Sequence, residues 1–272
     1  MSKQSSVGEH IRDWRARRRL TQMDLALDAG ISPKHLSFIE TGRSKPSRQM
    51  VLLLAEQLDV PLRERNAMLV AAGFAPVFPE RPLDAPDLAA ARRAVDLVLK
   101  GHEPFPALAV DRHWNLIAAN AAVTPFLVAE PEVMTPPLNL LRLSLHPKGL
   151  APRIVNFTEW RAHILDRLRR QIDATADAVL EALHAELKAY PAPPAAVGAA
   201  HGHDYGGVVV PMKLQTGQGV LSFISTITVF GTPVDVTLSE LALETFFPAD
   251  DFTAKALISL AAERQTGAEA AA

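Results

Sequence analysis

Side chains suited to contacting DNA are concentrated between Leu20 and Ser47, in the stretch LTQMDLALDAGISPKHLSFIETGRSKPS. Thr21 and Ser32 are residue types that cap helices, and each precedes a short run of helically spaced apolar residues. A tight turn at Gly30 separates the two predicted helices. This arrangement is typical of a helix-turn-helix, whose second helix enters the major groove by its amino-terminal end. The chemistry that it supports is hydrogen bonding to phosphates and to base edges.

Nine side chains of this stretch are predicted to contact DNA. The first turns of the second helix can reach base edges, whereas the start of the first helix and the loop after the second suit phosphates. A small helical bundle with no nucleic-acid role is the alternative interpretation of the same pattern. The nine residues are Gln22, Ser32, Lys34, His35, Ser37, Phe38, Arg43, Lys45 and Ser47.

The charge of the chain is divided unequally along its length. Residues 1–50 hold ten basic and five acidic residues, a local charge of +5, and the rest of the chain carries −7. A basic amino-terminal part followed by an acidic body is expected when only one end of a protein meets phosphate.

Helix signals and prolines predict how the chain is divided. Five short helices are expected between residues 7 and 72, with start signals such as Ser6 and Ser47. The four prolines of Ala75–Pro86 favour a semi-rigid connector, and a helix over Leu88–Lys100 follows it. We therefore expect a helix-turn-helix DNA-binding domain over residues 1–74, a proline-rich linker and connecting helix over 75–103, a ligand-binding domain over 104–264 and a disordered tail over 265–272.

Alternating apolar residues predict an antiparallel sheet in the second domain. Asn156 and Glu159 form a capping-box pattern ahead of a long amphipathic helix, so helices are expected to close over one face of that sheet. The predicted strands are a hairpin within Pro106–Asn120 and three further strands at Val208–Thr216, Val220–Phe230 and Leu238–Phe247.

A pocket between this sheet and its helices is expected to be largely apolar, with a few polar groups that orient a ligand. A buried arginine or histidine there could meet a carboxylate, because a buried charge requires a partner. Ordinary core packing of the apolar residues and ordinary exposure of the arginines is the alternative interpretation. The candidate ligand-binding residues are Arg142, Leu145, Arg153, Phe157, Trp160, His163, Phe223 and Phe230.

Catalytic, metal-binding and membrane functions have little support in the sequence. The chain has no cysteines, no Ser-His-Asp order, no phosphate loop and no HExxH pattern. No run of residues is apolar enough to span a membrane, and the amino terminus does not resemble a signal peptide, so a cytoplasmic protein is expected. The cluster of His201, His203 and Asp204 could bind zinc, but it lacks the second ligand pair of a structural site.

No catalytic residue, metal or cofactor is therefore predicted, apart from a non-covalent fatty-acid-like ligand. Two alternative functions remain open. One is a protein-binding, antitoxin-like adaptor, and the other is an enzyme with an autoregulatory DNA-binding domain, for which Arg153, His146 and Glu159 are the residues that could act together.

Several segments carry a resemblance to known regulators. Leu20–Ala26, Gly30–Ser32, Ile39–Glu40, Gly42–Arg43 and Pro46–Ser47 resemble the Xre/Cro-type helix-turn-helix family. A second resemblance, to the MmyB-type regulators, covers nearly the whole chain. It is carried by Ser32–Arg43, Pro61–Asn66, Ala71–Pro76, Ala109–Asn115, Asn139–Pro147 and Ala151–Asn156.

The resemblance implies a five-helix, all-α, lambda-repressor-like DNA-binding domain and an α+β PAS-like domain with an antiparallel sheet. It also implies a fatty-acid-like ligand and DNA contact by the motif residues. The expected function is ligand-responsive transcription regulation by a homodimer on a double-stranded operator, with half-sites about 34 Å apart. Phe38 departs from the family pattern, because many Xre-type proteins carry a polar base-reading residue at its place. The operator sequence therefore cannot be transferred from the family.

Overall fold

The computed structural model describes residues 5–194, 210–231, 233 and 235–271. The chain divides into two compact units, which we call the helical unit and the sheet unit. The helical unit consists of Met1–Pro82 with the short segments Asp173–Ala176 and Thr232–Ser239. The sheet unit consists of Leu83–Ile172, Asp177–Gly231 and Glu240–Ala272.

Five helices at the start of the chain confirm the predicted all-α fold. Their first turns are fixed by side-chain caps, because Ser6, Thr21, Ser32 and Ser47 each accept a backbone N–H from the residue three positions later. The five helices are α1 (Val7–Arg17), α2 (Gln22–Asp28), α3 (Pro33–Glu40), α4 (Arg48–Gln57) and α5 (Leu62–Ala71). Their apolar faces form one core, in which Ile11, Leu25, Leu36, Leu54 and Leu69 are fully buried.

The turn between α2 and α3 is made by Gly30. Its φ of 64° lies in the left-handed region, which glycine adopts without steric cost. The next residue, Ile31, donates its N–H to the carbonyl of Ala26 at 2.9 Å, which satisfies one of the last carbonyls of α2. The two helices of the motif are therefore joined by an ordinary glycine-based helix stop.

Gly8 allows α1 to approach the carboxyl-terminal end of α3. A Cβ atom at this position would lie 2.5 Å from the carbonyl oxygen of Ile39 and 2.7 Å from that of Glu40. Real Cβ atoms do not come so close to backbone oxygens, so only glycine permits this packing.

Replacing Gly8 by alanine is expected to lower the free energy of unfolding of the helical unit by about 2 kcal/mol, because backbone atoms must shift to relieve the overlap. Gly101→Ala is the matched control: a Cβ there meets nothing within 4 Å, and alanine favours helix by about 0.5–1 kcal/mol. Hydrogen exchange of peptides from the two regions would measure both changes. Similar protection of α1 and α3 in wild type and Gly8→Ala would contradict the prediction.

The sheet unit contains a five-stranded antiparallel sheet, as predicted. The strands are β1 (Ala107–Val110), β2 (Leu116–Ala119), β3 (Met212–Thr216), β4 (Gly219–Val229) and β5 (Ala242–Pro248). Their spatial order is β2-β1-β5-β4-β3, so the first and last strands of the chain pair side by side.

Helices cover both faces of this sheet. On one face the main core of the unit includes Leu108, Phe157, Ile164 and Phe223. On the other face a smaller cluster joins Val95 and Leu99 of the connecting helix to alternate residues of β1 and β5. The helices are α6 (Ala89–Gly101), α7 (Leu140–Leu145), α8 (Phe157–Thr175), α9 (Ala178–Ala189) and α11 (Asp251–Ala271), and a short helix α10 (Val236–Ser239) belongs to the helical unit.

The structure differs from the sequence-based prediction in three places. Leu238 lies in α10 and not in a strand, because the Asp235 carboxylate accepts the N–H of Thr237 at 2.9 Å and starts a helical turn. The Asn156 side-chain oxygen accepts the N–H of Lys213 at 3.0 Å, so it ties the start of α8 to β3. α11 continues to Ala271, through the segment for which a tail was predicted, since alanine-rich sequence favours helix.

Candidate nucleic-acid interface and buried cavity

The outer face of α3 carries exposed polar groups at its start. Ser32 caps the helix by accepting the N–H of His35 at 3.1 Å. Lys34, in the same first turn, is exposed. Ser47 caps α4 in the same way, accepting the N–H of Met50 at 3.2 Å. These two hydroxyls therefore hold helix starts in place and remain on the surface, where a phosphate could reach them.

Phe38 lies on α3 one helical turn after Lys34 and is partly exposed. The Lys34 ammonium lies 5.8 Å from the centre of its ring, and the Arg43 guanidinium lies 5.9 Å from it. Arg43 and Lys45 are exposed in the loop that follows α3. On the outer surface of α3, the Phe38 ring thus lies between the positive charges of Lys34 and Arg43.

A buried polar cluster holds the three helices of this region together. The Glu40 side chain, only 2% exposed, accepts hydrogen bonds from Arg15 Nε at 2.7 Å and Nη2 at 2.9 Å. It also accepts one from the Gln22 amide at 2.7 Å. The bond to Glu40 raises the pKa of the Arg15 guanidinium, against a smaller opposing effect of burial. We call Arg15, Gln22 and Glu40 the helix clamp, since they join α1, α2 and α3.

A cavity of about 90 Å³ lies in the sheet unit, between the sheet and helices α7 and α8. Most of its described lining is apolar, with Leu108, Phe126, Leu143 and Phe223 among the residues that form it. Four described lining residues carry side-chain nitrogen or oxygen atoms: Ser144, Trp160, Arg167 and Glu244.

The polar groups of the cavity wall are paired with one another. Arg167 Nη1 donates to Glu244 Oε1 at 3.0 Å, and the two side chains are only 18% and 6% exposed. The Arg167 guanidinium also lies 4.3 Å from the ring centre of Trp114. Trp160 Nε1 donates to Ser144 Oγ at 2.9 Å. An apolar cavity with one buried ion pair in its wall is suited to a ligand that is mostly apolar and has one charged end.

Comparisons with protein families identify the domains to which the two sites belong. Residues 91–260 match the model of the MmyB-like transcription regulator ligand binding domain, and residues 11–65 match a helix-turn-helix model. The chain belongs to the MmyB-like transcription regulators. A search of curated proteins found no match. The Xre-type helix-turn-helix, the DNA-binding role and the presence of a ligand-binding domain are therefore confirmed.

Only some of the ligand-binding residues predicted from the sequence lie at or near the cavity of this MmyB-like regulator. Trp160 and Phe223 line it, and Leu145 and Phe157 are buried in the surrounding core. His163 stacks on Trp160 with ring centres 5.5 Å apart. Burial is the main cause that lowers the pKa of His163, and the nearby positive charges of Arg167 and Arg170 lower it further.

The other three predicted pocket residues of the regulator lie elsewhere. Arg142 pairs with Glu186 at 2.8 Å beside a separate, more polar cleft. Arg153 is hydrogen-bonded to the carbonyl of Gln215 at 3.1 Å. Phe230 packs with the cluster on the opposite face of the sheet.

Sequence reasoning missed Arg167 and Glu244 at the cavity and Arg15 and Glu40 in the helix clamp. A run of arginines on one helix is usually a solvated face, and this description suits Arg169 and Arg170, which pair with Asp166 on the surface, but not Arg167. Helical spacing could have revealed Arg167, because it follows Trp160 and Ile164 at intervals of seven and three residues. The same spacing places Glu40 with Leu36 on the buried face of α3.

The three residues named for the enzyme alternative each have other partners in the described part of the chain. His146 makes an edge-to-face contact with Tyr190, Arg153 donates to the carbonyl of Gln215, and Glu159 accepts a hydrogen bond from Asn156. In the ranges that the structure describes, no three histidine, aspartate or glutamate residues are close enough to hold a metal ion. His201, His203 and Asp204 lie outside the described residues. No helix among those described is long and apolar enough to cross a membrane.

Proposed function

We propose that this regulator binds a double-stranded operator through the helical unit and senses an amphipathic, fatty-acid-like molecule through the cavity of the sheet unit. The observation that carries the ligand proposal is the Arg167–Glu244 pair, which lies in the wall of an otherwise apolar cavity. Occupation of the cavity changes the affinity for the operator. No bound cofactor and no catalysis are part of this function.

We expect the ligand to be an acid, because Arg167 is the one cation among the described lining residues and can bind a carboxylate. A carboxylate that enters the cavity can accept from N–H groups of the Arg167 guanidinium beside the one bonded to Glu244, or can replace Glu244 as its acceptor. The apolar chain then covers side chains such as Leu143 and Phe246, which gains about 25 cal/mol for each Å² removed from water.

The size of the cavity suggests how binding is coupled to regulation. A drug-sized ligand needs roughly 300 Å³ or more, whereas the cavity measures about 90 Å³. A long-chain acid therefore has to displace lining side chains or move the helices that cover them. Such a ligand selects a wider form of the domain, and it can shift regulation only by its differential affinity for the two forms.

We further propose that the sheet unit is a PAS-like sensor and that the regulator acts in the cytoplasm as a homodimer. A two-fold symmetric dimer would contact two half-sites about 34 Å apart. The five-stranded antiparallel sheet with helices packed on it supports the PAS-like assignment. Sedimentation of the full-length protein with and without operator DNA would establish the dimer.

Operator binding in the presence of palmitic acid tests the sensor proposal. Full-length protein is freed of bound lipid, and its operator affinity is measured by fluorescence anisotropy with and without the acid. Native mass spectrometry in parallel reports whether the cavity is occupied. We expect a change of about five-fold or more in operator affinity, in the usual range of allosteric coupling. An unchanged affinity with the acid bound would contradict the coupling.

The predicted DNA contacts separate into two groups with different expected effects. Replacing both Lys34 and His35 by alanine should weaken operator binding more than binding to random duplex, since both lie in the first turn of α3, the part of a recognition helix that enters the major groove. Replacing both Arg43 and Lys45 should weaken binding to both duplexes alike and reduce the salt slope by about 3.6 for a dimer, because four phosphate contacts are lost and each contributes about 0.9. Equal losses on both duplexes for the first pair would mean that Lys34 and His35 contact only phosphate.

A further inference from the structure

Phe38 is an unusual side chain for the reading surface of a recognition helix. It lies within α3 one turn after Lys34, and its ring is partly exposed while Leu36 and Ile39 on the same helix are buried. The core of the helical unit is complete without it, since the buried cluster does not include Phe38. The exposed part of the ring is therefore available to whatever α3 binds.

The surroundings of Phe38 hold it at the DNA-facing surface. The Lys34 ammonium and the Arg43 guanidinium lie 5.8 Å and 5.9 Å from the centre of its ring. One cation therefore comes from α3 and the other from the loop that follows α3. The Phe38 carbonyl accepts the N–H of Ser44 at 3.0 Å, which fixes the loop that carries Arg43 next to the ring. Both cations are exposed, as residues that bind a DNA backbone have to be, and the partly exposed ring lies between them.

The chemistry of the major groove limits what such a ring can recognise. Each base edge there presents hydrogen-bond donors or acceptors, and the 5-methyl group of thymine is the one apolar feature. A phenyl ring packed on a donor or acceptor would deprive it of water without replacing the hydrogen bond. We propose that Phe38 is a specificity-determining residue that packs on the 5-methyl group of a thymine in each half-site. This inference rests on the DNA-binding part of the proposed function.

Removal of single methyl groups from the operator tests this proposal directly. An operator is first selected from a random duplex library with the full-length protein, and each thymine is then replaced by deoxyuridine, which lacks only the 5-methyl group. At one thymine per half-site we expect the affinity to fall about four-fold, the effect of one lost buried methyl group. The same replacement should have no effect on Phe38→Ala, whereas Phe38→Leu should retain part of the four-fold effect.

Matched measurements separate the possible failures. Val70→Ala removes an apolar side chain that is 49% exposed on α5, and it should leave both the selected sequence and the deoxyuridine effect unchanged. Circular dichroism melting of each variant reports whether it is folded. An operator with no thymine at which deoxyuridine weakens wild-type binding, or an equal effect in wild type and Phe38→Ala, would overturn the role of Phe38 alone. Failure to select any operator sequence would overturn sequence-specific binding and this inference together.

Discussion

Glu40→Ala is expected to destabilise the helix-turn-helix by about 3 kcal/mol, which is the low end of the loss on breaking a buried ion pair. The variant removes the acceptor of two Arg15 hydrogen bonds and one Gln22 hydrogen bond. Arg15 then keeps its charge in a site where only 15% of its side chain is exposed. Because the helix clamp joins α1, α2 and α3, operator binding should weaken together with stability. Hydrogen exchange of α1–α3 peptides in the full-length protein measures the local free energy of opening.

Two further variants identify the cause of that loss. Asp13→Ala breaks an exposed pair with Arg12, whose atoms are 3.7 Å apart and whose side chains are 56% and 72% exposed, so it should cost less than about 0.5 kcal/mol. Replacing both Arg15 and Glu40 by methionine should cost less than Glu40→Ala alone, since no buried charge is left unpaired. The explanation fails if Glu40→Ala and Asp13→Ala prove equally harmful, or if the double variant is the least stable of the three.

Arg167→Met is expected to weaken the binding of a long-chain carboxylic acid by about 30-fold, with little effect on the alcohol of the same chain length. The expected loss of about 2 kcal/mol is the typical contribution of a hydrogen bond to a charged group. Methionine has similar length and no charge, so the apolar wall is kept while the partner of the carboxylate is lost. Isothermal titration calorimetry with palmitic acid and hexadecanol measures the two affinities.

The stability of this variant needs its own control, because the buried Glu244 carboxylate loses its cation. Arg167→Met with Glu244→Gln removes both charges and should recover most of the thermal stability while keeping the preference for acid low. Arg170→Met, on the same helix with its side chain 74% exposed, should leave the affinities for acid and alcohol unchanged. Equal losses of acid and alcohol binding in Arg167→Met would show that Arg167 does not bind the head group.

Local signals in the sequence predicted the elements of the fold and left their mutual contacts open. Ser6, Thr21 and Ser47 cap helices through bonds to residues three positions away, so their effect is visible in a short stretch of sequence. The Arg167–Glu244 pair joins residues 77 positions apart, and its formation depends on how α8 packs on β5. No local pattern specifies such a contact.

The alternation of side chains along β4 shows that two of the residues predicted for the pocket cannot both line it. Phe223 lies in β4 and Phe230 directly follows it, seven residues later. Side chains of a strand alternate between its two faces, so an odd separation places two residues on opposite sides. The structure has Phe223 at the cavity and Phe230 in the cluster on the other face. Which face carries the cavity depended on the helices and could not be read from either strand.

The two faces of β1 belong to different hydrophobic clusters of the regulator, so movement of this strand affects both clusters. Leu108 lines the cavity, and the next residue, Ala109, belongs to the cluster that seats Val95 and Leu99 of α6. If β1 moves and widens the cavity, the surface on which α6 packs therefore moves as well. If the proposed ligand widens the cavity, it should therefore also displace α6, the helix that follows the proline-rich segment along the chain.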